Sequence, residues 1–195
     1  MNICLYGASS DAINKFYIEE VEKLGHEIAA RGHTLVYGGG ARGLMGAAAR
    51  GAYAEGGTII GVSPTFFNVD GVVFPDCTKL IETETMRERK QIMEDNADAF
   101  VMVPGGIGTF EEFFEILTLK QIGRHSKAVT ILNLNGYFDE IFRLMQKAMD
   151  EKFMKEACHE LTASFTDIYA LLDYIENYKG HLVNIADMKH ISDDN

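Results

Sequence analysis

Residues 98–112 read Asp-Ala-Phe-Val-Met-Val-Pro-Gly-Gly-Ile-Gly-Thr-Phe-Glu-Glu, an apolar run followed by a glycine-rich turn. The apolar run predicts a buried strand, and the residues after the turn predict a helix over 109–122. A helix N-terminus attracts anions through its free N–H groups and its dipole, and glycines let a phosphate approach the backbone closely. The predicted phosphate-binding residues are Gly105, Gly106, Ile107, Gly108 and Thr109.

A carboxylate follows this glycine-rich turn within about one turn of the predicted helix. Glu112 should therefore lie near the group that carries the phosphate. Acidic side chains in a first turn also favour the helix dipole whatever their function, which is the simpler explanation for at least one of Glu111, Glu112 and Glu115. The combination indicates a site for a phosphorylated substrate.

Short apolar runs alternate with helical patterns along the rest of the chain. The predicted strands are residues 2–6, 34–37, 58–62, 79–82, 99–103 and 129–133. The predicted helices are residues 11–31, 44–55, 85–96, 109–122, 137–151 and 166–177, with a short strand between the last two. This alternation predicts one α/β domain over residues 1–195, with a doubly wound, mostly parallel sheet and helices on both faces.

Glycine-rich or small-residue loops follow three of the predicted strands, at residues 7–10, 38–43 and 104–109. Ligands of such sheets bind at the carboxyl ends of the strands, so Ser9, Gly39 and Gly40 are also candidate site residues. Residues 38–43 match G-x-G-x-x-G, but the next strand does not end in the acid of a dinucleotide fingerprint. Tight turns with close helix packing, or a second loop facing phosphate or sugar, explain these glycines better.

A charged segment, Met86-Arg87-Glu88-Arg89-Lys90, directly follows another predicted strand. It is either a solvated helix face or part of the ligand site. Arg87 and Lys90 lie three residues apart and share a face, whereas Arg89 and Met86 point elsewhere. Spacing alone does not decide which cation faces a ligand.

Overall charge and cysteine content narrow the function classes. The 195 residues carry a formal net charge of −11, which disfavours binding to duplex nucleic acid or an anionic membrane. Three widely spaced cysteines and the absence of a signal peptide predict a cytoplasmic protein with reduced thiols. No histidine or cysteine spacing suggests a metal site.

Three motifs together resemble the LOG ("lonely guy") family of cytokinin riboside 5'-monophosphate phosphoribohydrolases, often mislabelled as lysine decarboxylases. They are residues 38–46, residues 86–90, and the hallmark P-G-G-x-G-T-x-x-E at residues 104–112. The resemblance covers roughly residues 2–175. It implies a Rossmann-like sheet, a homodimer with the site at a subunit edge, and no metal or organic cofactor.

The resemblance also assigns roles by position. It implies that Arg89 and Glu112 form the catalytic pair and that Met86 and Lys90 contact the ligand. The implied phosphate and sugar site comprises Gly106, Gly108, Thr109 and Thr118. The chain departs from the family pattern at Arg87, where plant members have His, and at Leu119 and Ala128, which replace a common Trp and a common Pro.

The expected activity is hydrolysis of a cytokinin nucleoside 5'-monophosphate to free base and ribose 5-phosphate. A general AMP nucleosidase and a non-catalytic nucleotide-binding module are the alternatives. Amino-acid decarboxylation is disfavoured, because pyridoxal phosphate needs a Schiff-base lysine and no lysine here has a recognisable context for one.

Overall fold

The computed structural model describes residues 1–67, 71–180 and 182–188. In these ranges the chain alternates between strands and helices. The strands are β1 (Asn2–Tyr6), β2 (Thr34–Tyr37), β3 (Ile59–Pro64), β4 (Lys79–Thr83), β5 (Ala99–Met102), β6 (Ala128–Leu132) and β7 (Ala163–Phe165). The helices are α1 (Lys15–Ala30), α2 (Gly43–Ala54), α3 (Met86–Asn96), α4 (Ile107–Gln121), α5 (Asp139–Asp150), α6 (Ile168–Asn177) and α7 (Ile185–Met188). None of these helices is both long and apolar enough to cross a membrane.

The strands form one seven-stranded sheet in the order β4-β3-β2-β1-β5-β6-β7, and all neighbouring strands pair in parallel. The chain runs outward from β1 to β4, returns to β5 beside β1, and then runs outward in the opposite direction. The order therefore reverses between β1 and β5, which confirms the predicted doubly wound α/β fold. In such sheets a ligand crevice opens where the order reverses.

Helices cover both faces of the sheet, as predicted. Side chains of β1 alternate between two hydrophobic cores, with Ile3 and Leu5 in one and Cys4 and Tyr6 in the other. Helices α1, α2 and α6 pack on the first face, and α3, α4 and α5 pack on the second. Strands buried on both faces explain the nearly continuous apolar runs in the sequence.

The first helix begins at Lys15, four residues later than predicted. The side chain of Asn14 accepts a hydrogen bond from the backbone N–H of Phe16 at 2.9 Å and so caps the helix. Asp11, the predicted start, instead accepts a hydrogen bond from the backbone N–H of Gly43 at 2.7 Å. A long-range contact therefore takes this carboxylate away from the helix.

The helix after β5 begins earlier than predicted, at Ile107 rather than Thr109, with Gly106 as its N-cap residue. Two later helices begin two residues after their predicted starts. Residues 134–136 form a separate turn in which Gly136 has a φ of 68°, so α5 begins at Asp139. Asp167 caps α6 by accepting a hydrogen bond from the N–H of Ala170 at 2.8 Å.

Candidate active site

A cavity of about 680 Å³ lies beside the loops that follow β1 and β5, where the sheet order reverses. Nine of the thirteen predicted site residues line it, and they come from the ends of four different elements. These residues are Ser9, Gly40, Met86, Arg89, Gly106, Ile107, Gly108, Thr109 and Glu112. The topology thus brings together loops that are far apart in sequence.

A buried ion pair forms part of the cavity wall. Nη1 of Arg89, on α3, donates a hydrogen bond to Oε1 of Glu112, on α4, at 2.5 Å. Their exposed fractions are only 6% and 8%, and Nε of Arg89 also donates to the carbonyl oxygen of Val62 at 3.1 Å. Burial raises the pKa of the Glu112 carboxyl, and the neighbouring Arg89 guanidinium opposes that rise. The pair thus places a carboxylate with a raised pKa at the cavity.

The guanidinium of Arg89 passes across the face of Gly38, the residue after β2. An added Cβ at Gly38 would collide with Nη2 of Arg89 and would also crowd Sδ of Met45. Gly38 does not have the left-handed backbone that favours glycine elsewhere in this loop. Gly38 therefore leaves space for the Arg89 guanidinium, and the backbone conformation of the turn does not itself require a glycine there.

Gly38→Ala is expected to displace the Arg89 guanidinium and to lower kcat/KM for the hydrolysis proposed below by about a hundredfold, the loss typical of a catalytic group misplaced by about 1 Å. Steady-state kinetics with a nucleoside 5'-monophosphate would measure this loss. Gly32→Ala is a suitable control, because it strains a left-handed glycine before β2, at the opposite end of that strand. Equal activity losses in both variants would contradict the proposed steric role of Gly38.

The N-terminus of α4 presents free backbone donors to the cavity. Within the described residues, the N–H groups of Gly106, Ile107, Gly108 and Thr109 have no hydrogen-bond acceptor, and no side chain caps the helix. All four residues line the cavity. Consecutive free N–H groups at a helix N-terminus form an anion site, so this geometry suits a phosphate.

The N-terminus of α2 is different, because its first N–H groups already have acceptors. Asp11 accepts from Gly43, and the carbonyl oxygen of Ala8 accepts from Leu44 at 2.8 Å and from Met45 at 3.2 Å. Gly43 has a φ of 60°, and an added Cβ would collide with the loop after β1. These contacts favour the interpretation that the second glycine-rich loop serves tight turns and close packing.

Four predicted site residues do not line the cavity. Lys90 lines a neighbouring pocket of about 450 Å³ that also reaches Glu112, where it pairs with Glu111 and with Glu115 at 2.7 Å. Thr118 lines a separate groove on α4. Gly39 accepts from the N–H of Phe74 through its carbonyl oxygen, and Gly105 accepts from the hydroxyl of Tyr137.

Sequence reasoning missed several residues of the cavity wall, among them Arg42, Phe67 and Val72. Arg42 stands inside the G-x-G-x-x-G match, so the motif itself could have suggested it. Val72 belongs to a segment with no recognisable pattern, which lies against the glycine-rich loop because its carbonyl oxygen accepts from the N–H of Ala41 at 2.8 Å. Only the tertiary structure brings this segment to the site.

Known proteins share sequence similarity with this chain over most of its length. A family model described as "Possible lysine decarboxylase" matches residues 45–175. Cytokinin riboside 5'-monophosphate phosphoribohydrolase LOG2 of Arabidopsis thaliana is 34% identical over 176 residues, which cover 90% of this chain and 83% of that protein. The probable enzyme LOGL9 of Oryza sativa subsp. japonica is 37% identical over 176 residues, which cover 90% and 78%.

Solved structures with the same fold include proteins that carry a cofactor. The molybdenum cofactor carrier protein of Chlamydomonas reinhardtii matches with a TM-score of 0.68 and 23% identity, over 90% of this chain and 95% of that one. The molybdenum cofactor binding protein of Rippkaea orientalis matches with a TM-score of 0.68 and 21% identity, over 90% and 94%. At these identities the likeness concerns the fold alone.

Proposed function

This chain belongs to the LOG family, and on that premise we propose that it hydrolyses the N-glycosidic bond of a nucleoside 5'-monophosphate. The products are the free base and ribose 5-phosphate. The observation that carries the proposal is the buried pair of Arg89 and Glu112 on a cavity that also receives the free N–H groups of α4. The N-terminus of α4 can hold a phosphate while Glu112, further along the same helix, presents a carboxylate to the sugar.

The 5'-phosphate binds at the N-terminus of α4. The N–H groups of Gly106, Ile107 and Gly108 donate to phosphate oxygens, and the hydroxyl of Thr109 adds a further donor. The positive end of the helix dipole opposes the phosphate charge. Binding through the phosphate holds the ribose beside the Glu112 carboxylate. The reacting groups are then already oriented, which lowers the entropic part of the barrier.

Glu112 stabilises the positive charge that develops on the sugar and accepts a proton from the attacking water. The bond between C1' and the base nitrogen breaks as the water oxygen bonds to C1', and the base leaves with the electron pair and takes up a proton. This transition state resembles the oxocarbenium ion of glycoside hydrolysis. Since burial raises the pKa of Glu112, its carboxylate is also a stronger base than an exposed one.

Arg89 orients Glu112 and keeps its buried carboxylate charged. A guanidinium does not release its proton in proteins, so Arg89 is a donor and a fixed charge in this mechanism and not a general acid. Its second hydrogen bond, to the carbonyl oxygen of Val62 in β3, holds the guanidinium in one orientation. The carboxylate therefore has a defined position relative to the sugar.

The structure offers no support for decarboxylation with pyridoxal phosphate. No lysine in the described part of the chain lines the cavity, and Lys90 pairs with two carboxylates in the neighbouring pocket. A Schiff base would need a lysine amine at the bound cofactor. The description of the matching family model therefore does not change the proposed reaction.

The wall formed by Met45, Phe67, Val72 and Met86 is apolar, which favours a base with an apolar substituent. We therefore expect isopentenyladenosine monophosphate to be hydrolysed with a higher kcat/KM than AMP. Chromatography of the free bases released by purified protein would measure both rates. Equal rates would favour a general AMP nucleosidase, and binding without base release would favour the nucleotide-binding module.

We also propose that the protein is a cytoplasmic homodimer. Cys4, Cys77 and Cys158 are all free, which suits a reducing compartment. Ile107 and Phe67 line the cavity with exposed fractions of 86% and 45%, and contact with a second copy of the chain would cover such apolar surface.

A further inference from the structure

We propose that Tyr137 is a positioning residue that orients the peptide between Gly105 and Gly106 for phosphate binding. This inference rests on the proposed function and adds a residue that lies outside the cavity wall. The hydroxyl of Tyr137 donates a hydrogen bond to the carbonyl oxygen of Gly105 at 2.7 Å. Tyr137 follows β6, so it reaches the loop after β5 from the neighbouring strand.

Tyr137 belongs to a well-bonded turn after β6. The side-chain oxygen of Asn133 accepts from the N–H of Phe138 at 2.8 Å, and its amide donates to Asp139 at 2.8 Å. Gly136 is left-handed, and the carboxylate of Asp139 occupies the space that a Cβ there would need. The side chain of Phe138 is fully buried. The turn therefore fixes the backbone at Tyr137, whose ring packs edge-on against the rings of Tyr17 and Phe138.

The planar peptide bond links the hydrogen bond of Tyr137 to the direction of an N–H group at the cavity. In a planar trans peptide the C=O and the N–H point in opposite directions. Because the carbonyl oxygen of Gly105 points to Tyr137, the N–H of Gly106 points away from Tyr137, and Gly106 lines the cavity. The Tyr137 hydroxyl thus orients the N–H of Gly106, the first of the four free donors at the N-terminus of α4.

The carbonyl of the preceding residue is also fixed. Pro104 accepts a hydrogen bond from the N–H of Ala8 at 3.0 Å through its carbonyl oxygen. Glycines at 105 and 106 would otherwise allow the peptide between them to rotate with little steric resistance. The Tyr137 hydroxyl is therefore the side-chain contact that selects one orientation of this peptide before a ligand arrives.

Tyr137→Phe is expected to weaken binding of ribose 5-phosphate by about three- to tenfold, the change that corresponds to one neutral hydrogen bond. Binding of adenosine, which lacks the phosphate, should stay unchanged. Isothermal titration of each ligand into the full-length variant and the unchanged protein would measure both. Tyr17→Phe is the matched control, since the Tyr17 ring packs edge-on against Tyr137 and the substitution also removes one hydroxyl.

Phosphate-selective weakening in Tyr137→Phe, with no change in Tyr17→Phe, would support the inference. Equal weakening for ribose 5-phosphate and adenosine would overturn it, because a general structural role would affect both ligands. Unchanged ribose 5-phosphate binding in Tyr137→Phe would overturn the inference and leave the proposed function intact. If the unchanged protein binds neither ribose 5-phosphate nor AMP, both the function and the inference fail.

Discussion

Glu112→Gln is expected to lower kcat for nucleoside 5'-monophosphate hydrolysis by about 10²- to 10⁴-fold, the usual range for losing a general base. Glutamine has nearly the same shape and can still accept a hydrogen bond from Arg89 through its amide oxygen. It can neither accept a proton from water nor balance a positive sugar. The variant should therefore still bind AMP, and single-turnover release of adenine would measure the loss.

Glu111→Gln provides the matched control for this experiment. Glu111 is the preceding residue on the same helix, but it is exposed and pairs with Lys90 outside the cavity. Its replacement should leave most of the turnover. A fully active Glu112→Gln enzyme would exclude Glu112 as the base and would leave the mechanism without a carboxylate at the sugar.

Arg89→Met is expected to lower the free energy of unfolding by about 3–5 kcal/mol near neutral pH, the usual cost of removing one partner of a buried ion pair. Methionine retains much of the apolar length of arginine but leaves the carboxylate of Glu112 buried without its counter-charge. Turnover should fall as well, since the carboxylate loses its orientation. Urea unfolding would measure the stability, with Arg87→Met on the exposed face of α3 as the control.

The stability loss in Arg89→Met should depend on pH in a defined direction. Burial already raises the pKa of Glu112, and removal of the Arg89 charge raises it further. The folded variant then binds a proton more tightly than the unfolded chain, so its stability falls as pH rises through the interval between the two pKa values. The stability loss should be largest at a pH above the pKa of Glu112 in the folded variant, and smaller near the ordinary pKa of glutamate. A stability loss that does not depend on pH would contradict this explanation.

The features that could be predicted from sequence are those that local patterns determine. The strand, glycine turn and helix of residues 98–121 follow one another directly, so their order predicted the donors of the α4 N-terminus. The alternation of strands and helices predicted which loops share one edge of the sheet. Spacing alone could not choose between Arg87, Arg89 and Lys90. The resemblance favoured Arg89, and the structure places its side chain in the cavity wall.

The features that could not be predicted depend on contacts between distant residues. Lys90 pairs with Glu111 and Glu115, and this could not be anticipated without knowing how α3 and α4 lie beside each other. The segment containing Val72 has no periodicity and reaches the cavity through backbone hydrogen bonds to the glycine-rich loop. Tyr137 was predicted as the start of a helix and had no predicted site role, because its contact with Gly105 spans two neighbouring strands.

The carboxylate of Asp11 makes the N-terminus of α2 chemically unlike that of α4. It already fills the position that an anionic group would take at the N-terminus of α2, while the N-terminus of α4 stays open. A ligand with a second anionic group directed at α2 would meet a negative charge there in place of free donors. The chain thus supplies its own anion to one of its two glycine-rich loops, and under the proposed function we expect it to bind a nucleoside monophosphate in preference to a dinucleotide.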